Sequence, residues 1–156
     1  MAELLKSGDL QRHIVNVLQP TYARRYHGMI SAIEKYLVPL DVQLPQDGRE
    51  VVGGYFIWLS LPSPLIADEV AVEAKQDENL VIGPGPLFGV YGDADKEGLK
   101  DKVRLCFSWE EEELLPEGIQ RLSRVIRAMQ NEQLACHGAK DRCRQSNKTA
   151  GLDDLR

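Results

Sequence analysis

The chain has 156 residues, 43% of them hydrophobic, and a formal charge of -5. That length suits one ordinary domain with its own core, or one lobe of a larger protein, and leaves no room for a second complete catalytic domain. The acidic balance and the scattered Lys and Arg argue against a nucleic-acid or anionic-membrane partner, because displacing counterions from phosphates takes clustered basic side chains.

No run approaches the roughly eighteen apolar residues of a membrane span, and the opening MAELLKSGDLQRH lacks an apolar stretch followed by a small-residue cleavage site. The expected location is the cytoplasm. Cys106, Cys136 and Cys143 are odd in number and lack framework spacing, which fits a reducing compartment. Cys136, His137 and Cys143 make a poor zinc set without a CxxC pair, so they read as tail residues plus one buried thiol at Cys106.

From Asp9 to about Leu37, apolar or aromatic residues fall at Leu10, Ile14, Leu18, Tyr22, Tyr26, Met29, Ile33 and Leu37, one face of a long helix. Pro20 is expected to kink or divide it, since proline removes one backbone donor and crowds the preceding turn. The length suggests that the helix reaches across to something else. In GGYFIWLSLP, Tyr55, Ile57, Leu59 and Leu61 alternate with Phe56, Trp58 and Ser60, a strand bounded by glycines and Pro62. Ser63 offers an N-cap and Pro64 a first helical position, predicting a helix to about Asp77 that buries Ile66, Val70 and Ala74 beside Ala67 and Ala71.

Leu80 to Ile82 is a short strand candidate, followed by the irregular GPGPLFGVYGD. Lys102 to Ser108 is a further strand. Ser108 and Glu111 read as a capping box, with Glu110 to Glu113 at the positive end of a helix carrying Ile119, Leu122, Val125, Ile126 and Met129. From His137 onward almost no apolar content remains, which predicts a disordered tail over 137–156 after one domain over 1–136. The expected fold is α+β, a small mixed or antiparallel sheet of three or four strands with helices on one face, preceded by the long helix.

Chemistry centres on KVRLCFS. Val103, Leu105 and Phe107 point to one face, and Arg104, Cys106 and Ser108 to the other. An arginine on a central strand needs a partner, and its planar fork matches a carboxylate, either an internal Asp or Glu or a bound ligand. Gly83, Gly85 and Gly89 do not form a phosphate cradle, because Pro84 and Pro86 remove donors. His13, His27 and His137 are isolated, and no nucleophile has a base at a recognisable spacing. Trp58 and Trp109 read as core or interface anchors, and Arg24 with Arg25 as the solvated side of the long helix.

Taken in order, RHIVNVLQPTYARRYHGMISAIEKYL, PQDGREVVGGYFIWLSLP, VIGPGPLFGVYGD, KVRLCFSW and EEELLPEGIQRLSRVI resemble the C-terminal small domain of class I/II, fold-type I, pyridoxal-phosphate aminotransferases. The branch is that of the 2-aminoadipate, aromatic and kynurenine enzymes, and the likeness runs from about Leu10 to Met129. It implies that Arg104 grips the substrate α-carboxylate. It also implies that the Schiff-base lysine, the acidic partner of the pyridinium nitrogen and the stacked aromatic ring lie on a large domain upstream. Lys6, Lys35, Lys75, Lys96, Lys100, Lys102, Lys140 and Lys148 show none of that lysine's context.

Met1 stands almost where the family's small domain begins, pointing to a truncated gene, an alternative product or a misplaced reading frame. The expectation is an aminotransferase portion, silent alone, that does not hold pyridoxal phosphate specifically and has no catalytic or metal-binding residue of its own. Its partners are then an amino-acid or 2-oxo-acid carboxylate in an assembled enzyme, a missing large domain, or further copies of itself. The alternative is a non-catalytic binding or dimerising module that keeps the fold. A small RNA-binding domain fails on charge and on the lack of a basic aromatic sheet face.

Overall fold

The computed structural model describes residues 6–44, 54–90 and 98–150, with side chains described through residue 135. The amino-terminal helix has three parts: α1 (Asp9–His13), a π-helical turn (Ile14–Leu18) and α2 (Gln19–Tyr36). Pro20 follows the π-turn directly, at the second residue of α2, so the rod is divided into segments there while its helical backbone continues. Only the distal half of the predicted stripe is buried, at Met29, Ile33 and Leu37, while Leu10 remains exposed.

Three antiparallel strands follow, β1 (Phe56–Ser60), β2 (Gly83–Pro84) and β3 (Lys102–Cys106), in the order β1-β3-β2. Trp58 pairs with Arg104, and Gly83 pairs with Arg104 from the other side. The ladder thus uses Gly83 and Pro84 from the stretch expected to be irregular, and not Leu80 to Ile82. Pro84 is tolerated because β2 is an edge strand, where one absent donor costs no ladder bond.

Two further helices complete the layer, α3 (Ala67–Glu78) and α4 (Leu115–Ala150). Helix α3 starts three residues later than Ser63-Pro64 suggests, those two residues forming a turn. The Ala67 N–H donates instead to the Lys100 carbonyl at 2.8 Å. Ala67, Val70 and Ala74 are fully buried as expected, while Ile66 is exposed. Asn79 ends α3 in the left-handed region at φ 47°, with Lys75 donating to its Oδ1 at 3.0 Å.

The expected capping box does not form. Ser108 Oγ meets Cys106 Sγ at 3.2 Å, a short 3-10 turn (Glu112–Leu114) intervenes, and α4 opens at Leu115. The helical backbone of α4 extends to Ala150.

The core lies between the sheet and the helices. Ile57 and Leu59 of β1 and Val103 and Leu105 of β3 meet Ile33, Val70, Leu122 and Ile126 in one cluster. Each full side-chain burial of this kind contributes about 1.5–3 kcal/mol. No helix among the described residues is long and apolar enough to cross a membrane.

Candidate functional site

Period-two alternation puts Lys102, Arg104 and Cys106 on the sheet face away from this core, together with Phe56 and Trp58 of β1. The Arg104 guanidinium carbon stands 4.0 Å from the centroid of the Phe56 ring and 3.6 Å from that of Phe88. Both rings thus lie within cation–π distance of the one guanidinium. Phe88 belongs to the 3-10 turn Gly85–Phe88 and meets Trp58 edge-on at 5.4 Å. Among the described residues no carboxylate comes within ion-pair distance of Arg104. The neighbouring Lys102 is engaged, donating to Ser60 Oγ at 2.8 Å and to Asp101 at 2.9 Å.

Cys106 is exposed, against the expectation of a buried thiol. Partial burial pushes its thiol up. The Ser108 hydroxyl, the backbone N–H groups of Ser108 and Trp109 and the nearby Arg104 charge outweigh that, leaving it below the ordinary thiol range. Trp109 is no core anchor either, being 91% exposed, whereas Trp58 is half-buried.

A cavity of about 430 Å³ opens beside β3, walled by Leu80, Val81, Leu105, Cys106, Trp109 and Leu115. Arg104 is not in its walls. The cavity is mainly apolar, and its Arg121 and Glu117 are already paired with each other, so the concave site lacks the unsatisfied charge that the arginine offers.

Arg25 was missed as a structural residue. Its Nε–H donates to the Phe107 carbonyl at 2.7 Å, tying α2 to the end of β3. Arg24 approaches Glu112 at 3.8 Å and stays largely exposed. The two rings beside Arg104 were also unread: Phe88 sits in a glycine and proline stretch with no period to give its direction, though its spacing from a strand arginine is visible only once β2 is known to pair. No group of three His, Cys, Asp or Glu able to hold a metal occurs among the described residues.

The chain is thus an α+β lobe with helices on one sheet face and an arginine on the other. No protein-family model matches the chain. It is 28% identical over 127 residues to the 2-aminoadipate transaminase of Thermus thermophilus, covering 81% of this chain and 29% of that protein. It is 28% identical over 123 residues to aromatic-amino-acid aminotransferase 1 of Thermococcus litoralis, covering 79% of this chain and 27% of that protein.

The solved alpha-aminoadipate aminotransferase of Thermus thermophilus, complexed with N-(5'-phosphopyridoxyl)-L-leucine, superposes with a TM-score of 0.66 at 26% identity. That match covers 83% of this chain and 30% of the other. Sequence and fold thus agree in likeness to the C-terminal small domain of pyridoxal-phosphate-dependent, fold-type I aminotransferases. The chain spans less than a third of the length of these relatives.

The described residues do not build a place for pyridoxal phosphate. Lys75 donates to Asn79, Lys102, on the same sheet face as Arg104, donates to Ser60 and Asp101, and Lys35 lies over Tyr36 at 4.9 Å, so each of these amines is engaged within the chain. Pro84 and Pro86 withdraw two backbone donors from the glycine-rich stretch that a phosphate needs.

Proposed function

We propose that this chain is the carboxylate-gripping lobe of an enzyme that moves an amino group between an amino acid and a 2-oxo acid, with Arg104 as the group that holds the α-carboxylate. The small-domain unit is assigned to residues 1–136. The observation that carries the reading is an arginine on the open sheet face, flanked by aromatic rings and meeting no carboxylate among the described residues. Burying or half-burying a guanidinium without an anion leaves its N–H donors under-used, and two parallel bonds to a carboxylate answer that need.

In a complete enzyme such a clamp fixes the amino acid's orientation so that one bond at Cα is presented for reaction, the contribution of positioning to catalysis. Amino-group transfer itself belongs to residues of a large domain. The isolated chain, mixed with pyridoxal phosphate, an amino acid and 2-oxoglutarate, is expected to give no turnover. Robust turnover would overturn the assignment of the missing chemistry to a large domain.

Binding is the direct test of Arg104. Titrating the labelled chain with 2-oxoglutarate should move the Arg104 side-chain resonance, and Arg104→Lys should lose the bidentate response while keeping the charge. Equal binding by both proteins would defeat the role of Arg104.

Self-association is the second reading, favoured by the exposed Val81, Trp109 and Leu114 clustered at the cavity mouth. Apolar patches of this kind promote contact. Sedimentation at high concentration should show oligomers; a compact monomer would remove this reading.

A further inference from the structure

The stacking around Arg104 is too specific to be incidental. A guanidinium has two apolar faces and a polar perimeter, and rings covering its faces leave only the in-plane N–H edge for hydrogen bonding. Phe56 reaches Arg104 from a diagonal position on β1, since its direct partner is Cys106. Phe88 reaches it from the turn after β2, held in turn by the edge of Trp58.

The backbone is shaped for that second ring. A Cβ on Gly83 would stand 3.1 Å from two atoms of the Phe88 ring and 3.3 Å from the Arg104 carbonyl. A side chain at position 83 would crowd this ring by a few tenths of an ångström, and glycine leaves it that room. Strand register, one glycine and three aromatic rings therefore converge on the orientation of a single side chain.

We infer that Phe56 and Phe88 are positioning residues which clamp the Arg104 guanidinium by its faces, so that its donor edge is preset for a carboxylate, and that Gly83 seats Phe88 for this purpose. This rests on the proposal that Arg104 receives a carboxylate. Stacking restricts rotation about the terminal bonds of a long side chain and lowers the entropy lost when two parallel hydrogen bonds form. It also leaves the charge intact, which an internal ion pair would neutralise. The clamp is thus a way to hold a cation half-buried and ready for a ligand.

The test uses the full chain, labelled with nitrogen-15, and 2-oxoglutarate as the probe. The Nε–H signal of Arg104, identified by its loss in Arg104→Lys, should be displaced by ring currents before any probe is added. Phe88→Leu should return it toward the position of a free arginine and weaken probe binding roughly two- to five-fold, the range expected from losing one cation–π contact. Gly83→Ala, which moves the ring without removing it, should act in the same direction, and Phe88→Tyr should restore both readouts.

If the wild-type chain binds the probe through Arg104 and Phe88→Leu alters neither signal nor affinity, the clamp is refuted while the carboxylate role stands. If the ring-shifted signal is present but ignores the probe, the carboxylate role is refuted, and the clamp as a preset for carboxylate falls with it. Circular dichroism of each variant separates loss of the fold from loss of the clamp.

Discussion

Arg24 and Arg25 are adjacent on α2, yet their environments predict opposite outcomes on removal. Arg25 donates its Nε–H to the Phe107 carbonyl at 2.7 Å from a partly buried position, and Phe107 itself is only 3% exposed. Arg25→Ala deletes a charged donor and leaves that carbonyl without its partner. A hydrogen bond to a charged group contributes about 1.5–3 kcal/mol, and partial solvent access selects the low end, about 1.5 kcal/mol. With a urea slope of about 2 kcal/mol per molar, the unfolding midpoint should fall by about 0.7 M.

Arg24 approaches Glu112 only to 3.8 Å, with the two side chains 61% and 39% exposed. Exposed pairs of that kind contribute about 0–1 kcal/mol, so Arg24→Ala should move the midpoint by no more than about 0.5 M, with most of that range well below the Arg25 shift. The two variants are compared by urea unfolding followed by circular dichroism and tryptophan fluorescence. Equal shifts would refute the claim that the Arg25 bond fastens α2 to the sheet.

Gly85→Ala should be severe, because the new Cβ would strike the Leu99 carbonyl and lie 2.8 Å from that of Lys102. Backbone on both sides cannot yield cheaply, so a loss of about 3 kcal/mol is expected; an unchanged melting profile would show that the site relaxes. Cys106, held below the ordinary thiol range, should reach half-maximal alkylation at a lower pH than a model thiol, and Ser108→Ala should raise that half-point. Peptide-level mass spectrometry of the Cys106 fragment reads it, and coincident profiles would discount the Ser108 contact.

The Arg124 hydrogen bonds, over some opposing burial and helped by the Arg124 and Arg121 charges, hold the Glu78 carboxyl below its ordinary value. A depressed carboxylate stabilises the fold above its unfolded pKa, and that contribution is lost as pH falls through the folded value. The stability gap between the native chain and Glu78→Gln should therefore close in acid, below about pH 4. A gap independent of pH would contradict the pairing.

The strands β1 and β3 and the buried faces of the helices were legible because period-two and period-3.6 patterns are imposed by the core: Val103 and Leu105, Val70 and Ala74 face inward as their spacing required, while β1, apolar on both faces, gave no sign that Ile57 and Leu59 would be the buried pair. What could not be read depended on partners distant in sequence. Gly83 and Pro84 become a strand only because β3 presents a free edge to them, a tertiary preference that overrides a composition typical of loops. Ser108 had the spacing of a cap, but the nearby Cys106 sulfur engaged its hydroxyl and the helix opened later.

At the site, the side on which Arg104 projects followed from alternation alone. Its aromatic neighbours did not, since Phe88 arrives by a turn and Phe56 by a diagonal across the ladder. Arg25 was equally opaque, because a bond spanning 82 positions leaves no local signature.

The π-turn at Ile14–Leu18 changes how a repeat of apolar side chains should be measured along this helix. One extra residue in a turn rotates everything before it about the axis by roughly a quarter of a revolution. Leu10, Val15 and Val17 are 39%, 45% and 47% exposed, whereas Met29 and Ile33 are buried. A single continuous rod is thus committed to this molecule's interior along its far portion and left open to solvent along its near one.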